Sequence, residues 1–159
     1  MPREKKIEEP IEFHISRSIA APVASIYKAW TDPKQVAKWW GPKGFTSPIC
    51  EVSAKEEGII RIEMTDEAGT VYPMRGIFHE LMKNVRLVFS TYSHDDDRKR
   101  AGLVNHHTID FAEEDGITTV SIKIRIVRAS PKVSKAVAAL SEGWNESLDR
   151  LTMLVGKKA

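Results

Sequence analysis

The chain has 159 residues, of which 42% are hydrophobic and 29% charged, and this length and composition suit one domain with one core. Its 24 basic and 22 acidic side chains are interspersed and almost cancel, which argues against binding to nucleic acid or to an anionic membrane. The single cysteine, Cys50, excludes an intrachain disulfide and a cysteine-rich zinc site, and because no signal-peptide pattern or long apolar run is present we expect a cytoplasmic protein.

The first ten residues differ in character from the rest of the chain. Residues 1–10 are rich in charge, lack periodicity and end in proline, so they predict a disordered leader. The remaining sequence contains no repeat or composition shift, and we expect one domain over residues 11–155 and a tail over 156–159. Apolar side chains alternate from Ile11 to Ile19, the pattern of a half-buried strand.

Two short helices are predicted next. Apolar residues at helical spacing, among them Ile26 and Trp30, indicate a first helix that packs by one face. Asp32 suits the N-cap of a second helix, which carries the adjacent Trp39 and Trp40. Because neighbouring residues on a helix cannot point the same way, we expect one of these two tryptophans to be partly exposed or to line the mouth of a cavity.

The middle of the chain reads as a series of strands. No segment there keeps a helical period, and apolar alternation is broken by Gly, Asn and Asp residues typical of turns. The pattern predicts an antiparallel meander in which one face is buried and the other is wet. Its strands are expected at about residues 45–54, 59–66, 70–81, 85–93, 103–112 and 117–127.

The last predicted element is one long amphipathic helix from about residue 131 to residue 155. Its apolar positions are three or four residues apart and form a single stripe that must be buried. Because the sheet is the only predicted partner of that length, we expect the helix to lie across it. The stripe consists of Val133, Val137, Leu140, Trp144, Leu148, Leu151 and Val155.

This order of elements, together with four short segments, resembles a known family. The segments are AWTDP (29–33), WWGP (39–42), RGIFHEL (75–81) and EGWNESLDRL (142–151). They are similar to the activator of heat-shock-protein-90 ATPase homologue (AHSA1-like) family of the START-like, or SRPBCC, superfamily. The resemblance implies an α+β helix-grip fold, like that of the birch pollen allergen, with a curved seven-stranded antiparallel sheet around a long C-terminal helix.

Fold does not determine function, and three functions remain open within this superfamily. The first is a protein that binds an apolar or amphipathic small molecule between sheet and helix. The second, implied by the family name, is a module that interacts with a cytoplasmic chaperone. The third is a cyclase or hydrolase acting on an aromatic or polyketide-like substrate, with His107 or Glu80 as acid or base. We expect no cofactor or metal, and a monomer or homodimer.

The binding hypothesis places an apolar lining and a few polar groups around the ligand. His107 shares its parity with Ile109 and should face the interior, and Glu80 should point into the same hollow by alternation with Phe78. Gly76 should relieve crowding there against the helix or the ligand. The predicted ligand-binding residues, with plain core packing as the alternative for each, are Trp39, Trp40, Met64, Met74, Phe78, Glu80, Phe89, His107, Leu140, Trp144 and Leu148.

Overall fold

The helices and strands follow one another in the predicted order. The computed structural model describes residues 11–94, 101–129 and 134–156. The helices are α1 (Val23–Thr31), α2 (Pro33–Trp39) and α3 (Ser134–Val155). The strands are β1 (Ile11–Ile19), β2 (Thr46–Val52), β3 (Ile59–Thr65), β4 (Val71–Met82), β5 (Arg86–His94), β6 (Ala101–Glu114) and β7 (Ile117–Ala129).

The seven strands form one curved antiparallel sheet in the order β1-β7-β6-β5-β4-β3-β2. Strands β2 to β7 are a meander, whereas β1 pairs with the last strand, so α1 and α2 lead the chain from one edge of the sheet to the other. With α3 after the last strand, this is the α+β helix-grip fold that the sequence predicts.

The predicted strand boundaries lie within two residues of the observed ones. The turns between strands use residues that tolerate positive φ, including Gly69 (86°), Asn84 (63°) and Asp115 (51°). Asp32 caps α2 as predicted, because its Oδ1 accepts a hydrogen bond from the backbone N–H of Lys34 at 3.0 Å. The predicted leader, the tail beyond residue 156 and residues 131–133 of the predicted last helix lie outside the described residues.

The core lies between the concave face of the sheet and the three helices. In β7 the alternate residues Val120, Ile122 and Ile124 are at most 1% exposed, as the alternation of the sequence requires. The apolar stripe of α3 enters the same core from Leu140 onward, where Leu148 and Leu151 are fully buried, whereas the side chains of Val133 and Val137 lie outside the described part of the chain. None of the described helices has the length and apolarity needed to cross a membrane.

Polar contacts clamp α3 to the end of α2. The Arg150 guanidinium donates hydrogen bonds to the backbone oxygens of Lys38 (3.0 Å), Trp40 (3.3 Å) and Gly41 (3.1 Å). The Gly41 N–H in turn donates to Ser147 Oγ at 3.1 Å. The last carbonyls of a helix have no hydrogen-bond partners within it. Arg150 therefore donates to carbonyl oxygens at the end of α2 that would otherwise bond to water or stay unpaired.

A second clamp ties α3 to the first strand. Arg17 of β1 donates to Asp149 Oδ1 at 2.7 Å and to the side chain of Asn145 at 3.4 Å. The helix is therefore held at the α2 end and at the β1 edge, which fixes the direction in which Trp144 enters the core.

Candidate functional site

All four tryptophans of the chain meet where α1, α2 and α3 close one end of the sheet. The rings of Trp30 and Trp144 stack with centroids 5.9 Å apart and an 11° angle between planes. Trp40 meets Trp144 edge to face at 5.3 Å. Trp39 is fully buried and its Nε1–H donates to the Ala29 carbonyl at 2.8 Å, whereas Trp40 is half-buried, as expected for one of the pair.

A small cavity of about 20 Å³ lies beside these tryptophans. It has room for about one water molecule and is too small for an organic ligand. Aromatic and aliphatic side chains therefore fill most of the described part of the predicted hollow. The cavity is lined by Trp30, Val36, Trp40, Val52, Ile60, Ile62, Phe78 and Phe89.

His107 lies on the inner face of β6, as its parity predicts. Its side chain is 2% exposed and stacks on Phe89 with ring centroids 4.5 Å apart. Burial, with a smaller effect from His106, lowers the pKa of His107 from 6.5 to about 3, so the ring is neutral at pH 7. Its Nε2 forms a hydrogen bond with Thr91 Oγ1 at 3.0 Å, and its Nδ1 has no partner among the described residues.

Asn105 occupies the preceding inward position of β6, about 7 Å from His107 along the strand. It is 5% exposed, and its Oδ1 also has no hydrogen-bond partner within the described ranges. Buried polar atoms without partners cost free energy, and most proteins avoid them. Two such atoms on successive inward positions of one strand therefore require an explanation. The sequence contained the signal for Asn105, because it shares parity with His107.

Two predictions at this site are wrong. A β-bulge between Phe78 and Glu80 interrupts the pairing of β4 with β5, so Glu80 pairs with Val88 on the outer face instead of pointing into the hollow. Gly76 does relieve crowding, but not against the helix or a ligand. A Cβ there would lie 2.5 Å from the backbone oxygen of Ser90 on the neighbouring strand.

The other predicted lining residues belong to the core around the cavity or beside it. Trp40, Phe78 and Phe89 line the cavity, and Trp30, predicted only to pack, lines it with them. The remainder lie in the core cluster or against it, and their contact with a ligand stays a prediction: Trp39, Met64, Met74, Leu140, Trp144 and Leu148. Within the described ranges, no group of three or more His, Cys, Asp or Glu residues is placed to hold a metal ion.

Comparison with known proteins shows a family match and several solved structures of the same fold. A family model described as "Activator of Hsp90 ATPase homolog 1-like protein" matches residues 20–156. A search of curated proteins finds no significant match. A solved protein from Chromobacterium violaceum is 25% identical and aligns with 94% of this chain and 100% of its own, with a TM-score of 0.77.

Two further solved structures are similar in fold. A protein from Mycobacterium smegmatis is 22% identical, with a TM-score of 0.77 over 99% of this chain and 98% of that chain. The AHSA1 protein from Silicibacter pomeroyi is 21% identical, with a TM-score of 0.75 over 90% and 96% of the two chains. At these identities the likeness establishes the architecture, and the chemistry has to come from the residues of this chain.

Proposed function

Because the chain belongs to the Activator of Hsp90 ATPase homolog 1-like family and has its helix-grip fold, we propose that it binds one amphipathic small molecule in the hollow between the sheet and α3. One observation carries the proposal. His107 Nδ1 and Asn105 Oδ1 are buried on the inner face without partners among the described residues, and the His107 ring contacts the rings of Phe89 and Trp144. A bound polar group would supply the hydrogen bonds that the described residues do not.

The polar atoms define the chemistry of the ligand. Asn105 Oδ1 is an acceptor, so it requires a donor such as a hydroxyl or amide N–H. His107 Nδ1 is an acceptor when Nε2 carries the proton and a donor in the other tautomer. A hydroxyl satisfies either case, because it both donates and accepts. The flat apolar remainder of the ligand would lie against Phe89, Trp144 and the other rings.

Binding requires the aromatic side chains to move, because a cavity of about 20 Å³ admits no organic molecule. Trp40 is the side chain best placed to do so. It is half-buried and lines the cavity, whereas Trp39 is fully buried and hydrogen-bonded to Ala29. Rotation of Trp40 toward solvent would open the hollow while Arg150 still holds the backbone of that turn.

The test uses a pair of compounds that differ only in a hydroxyl group. The neutral fluorescent probe N-phenyl-1-naphthylamine is bound first and then displaced with 2-naphthol or naphthalene. We expect 2-naphthol to displace the probe about tenfold more effectively from the wild type, as one added hydrogen bond predicts. In His107→Phe, which keeps a flat ring, that preference should fall several-fold, because Asn105 Oδ1 alone remains to accept from the hydroxyl. His14→Phe, on the exposed outer face, is the matched control.

Several outcomes would count against the proposal. A wild type that does not bind the probe at all would show that the core stays closed. Equal displacement by the two compounds, or an unchanged preference in His107→Phe, would show that His107 Nδ1 does not bind the hydroxyl group. Near-ultraviolet circular dichroism of each variant establishes that its aromatic core is still packed.

The second candidate function is binding to a chaperone of the kind named in the family description. The family match alone favours it, and it would use the surface instead of the hollow. A pull-down with purified Hsp90 separates the two functions. Retention of Hsp90 by the wild type and equally by His107→Phe would support a surface role.

The enzyme alternative is weakened by both of its proposed acid–base groups. Glu80 lies on the outer face, away from the hollow. A pKa of about 3 makes His107 a poor general base and leaves it without a proton to donate as a general acid at pH 7. Its neutral ring suits hydrogen bonding to a ligand better than proton transfer.

A further inference from the structure

The outer face of the sheet carries a cluster that the proposed function does not use: His79 on β4, Ser90 on β5 and His106 on β6. His79 Nε2 lies 2.7 Å from Ser90 Oγ, and His106 Nδ1 lies 3.2 Å from the same oxygen. The two imidazole rings are 5.5 Å apart between centroids, with a 30° angle between planes. Two imidazole nitrogens from alternate strands therefore converge on one point.

The same β-bulge that turns Glu80 outward builds this cluster. Ile77 pairs with Ser90, and Ser90 pairs with His106, so these side chains share the outer face. The bulge after Phe78 adds one residue to β4, which leaves His79 without a direct partner and free to lean over Ser90. His79 is exposed, His106 is half-buried and Ser90 is 7% exposed, so the cluster opens to solvent on the His79 side.

We propose that His79 Nε2 and His106 Nδ1 together bind one divalent transition-metal ion of the copper, nickel or zinc class, with Ser90 Oγ beside it. Imidazole nitrogens are preferred ligands of these ions, at about 2.0–2.1 Å for zinc. One nitrogen lies 2.7 Å and the other 3.2 Å from Ser90 Oγ, so the distance between the two nitrogens cannot exceed the sum of these lengths. A rotation of the exposed His79 ring brings them within the span of one ion, and water completes the coordination.

Burial, more than the neighbouring charges, keeps His106 in the neutral form that a metal ion requires. Burial lowers the pKa of His106, and His79, Arg125 and Lys123 lower it further, so the ring keeps the free lone pair that a metal requires. An anion would bind most strongly to a protonated ring, which these same causes oppose. Arg125 and Lys123 are exposed and screened by water, and Lys123 has Glu12 at 3.6 Å.

Isothermal titration with Cu²⁺, Ni²⁺ and Zn²⁺, each added as the chloride, tests the site. We expect one ion per chain, with Cu²⁺ bound more tightly than Ni²⁺ or Zn²⁺, as the general order of these ions predicts. His79→Gln and His106→Gln should each weaken binding at least tenfold. His14→Gln, which removes another exposed histidine of the outer face, should leave it unchanged.

Thermal unfolding supplies a second readout that does not depend on the heat of binding. Because the ion would join β4 to β6 across β5, Ni²⁺ in excess should raise the Tm of the wild type and not that of His79→Gln. The proposal is overturned if no ion binds at millimolar concentration, if both glutamine variants bind as tightly as the wild type, or if His14→Gln alone loses binding.

Discussion

At the scale of single residues, His107 is a titratable side chain in an apolar environment. In water its imidazole would become protonated at mildly acidic pH. Its pKa is about 3 in the folded protein, against the ordinary value of 6.5 that applies when the chain is unfolded. Between these two values the unfolded chain binds a proton and the folded protein does not. The contribution of His107 to the free energy of unfolding is therefore fully present above about pH 6.5 and is lost as the pH falls toward 3.

We predict that His107→Gln reduces this pH dependence. From pH 7 to pH 5 the wild type should lose about 2 kcal/mol more stability than the variant, since each pH unit in that window costs about 1.4 kcal/mol. Urea unfolding at the two pH values measures the difference, and the other titrating groups cancel because both proteins share them. Parallel pH dependence of the two proteins would contradict the buried, neutral state of the ring.

Two glycines provide a matched pair for testing close packing. Gly76→Ala should destabilise the protein by about 1–3 kcal/mol, because the new Cβ would lie 2.5 Å from the Ser90 carbonyl oxygen. Gly143→Ala has only Pro42 near its new Cβ, at an ordinary 3.5 Å, and sits inside α3. There alanine should stabilise by up to about 1 kcal/mol through helix propensity. Denaturant unfolding measures the free energy of unfolding of both variants. A Gly76→Ala variant as stable as the wild type would contradict this explanation.

At the scale of elements, the position of α3 depends on contacts that hold its C-terminal half to α2 and β1. Arg150 is the centre of the first set, and burial of its guanidinium lowers its pKa. A partly buried cation that donates to several carbonyls contributes more than an exposed ion pair does.

Arg150→Met should therefore destabilise the protein by about 1–3 kcal/mol and loosen the packing of Trp40, whose carbonyl it holds. Arg86→Met is the control with the same substitution. Among the described residues Arg86 bonds only Asp110, at 2.6 Å on the exposed face, so its loss should reduce the free energy of unfolding clearly less. Thermal unfolding and tryptophan fluorescence report the two effects. Equal destabilisation of both variants would argue against a special role for the clamp.

The sequence predicted the elements well because periodicity and turn residues are local signals. Alternation correctly placed His107 inward, since the pairing of β6 with β7 is regular from Asn105 to Phe111. The same rule failed for Glu80, because a one-residue bulge reverses the parity after it and has no reliable local signature.

The sequence patterns did not predict features that depend on contacts between elements. The cluster of His79, Ser90 and His106 requires the register of three neighbouring strands, which alternation within each strand does not supply. The clamp of Arg150 on the α2 turn likewise joins residues far apart in the chain. Sequence reasoning therefore found the inward-facing residues and missed how they are held.

At the scale of the whole molecule, a curved sheet and the helices surround an interior that aliphatic and aromatic side chains almost fill, yet it retains polar atoms unpaired among the described residues. A protein selected only for stability gains nothing from such atoms, whereas a binding protein uses them to select its ligand. Under the proposed function, a bound ligand would relieve the unfavourable burial of these atoms by supplying the missing hydrogen bonds.

Native mass spectrometry of the protein purified without detergent tests this account most directly. We expect a population heavier than the polypeptide by one small molecule, which is released when the protein is denatured. Incubation of the stripped protein with excess 2-naphthol should restore one adduct in the wild type and less of it in His107→Phe. The account would be contradicted if only the bare polypeptide mass were observed, both after purification and after incubation with 2-naphthol.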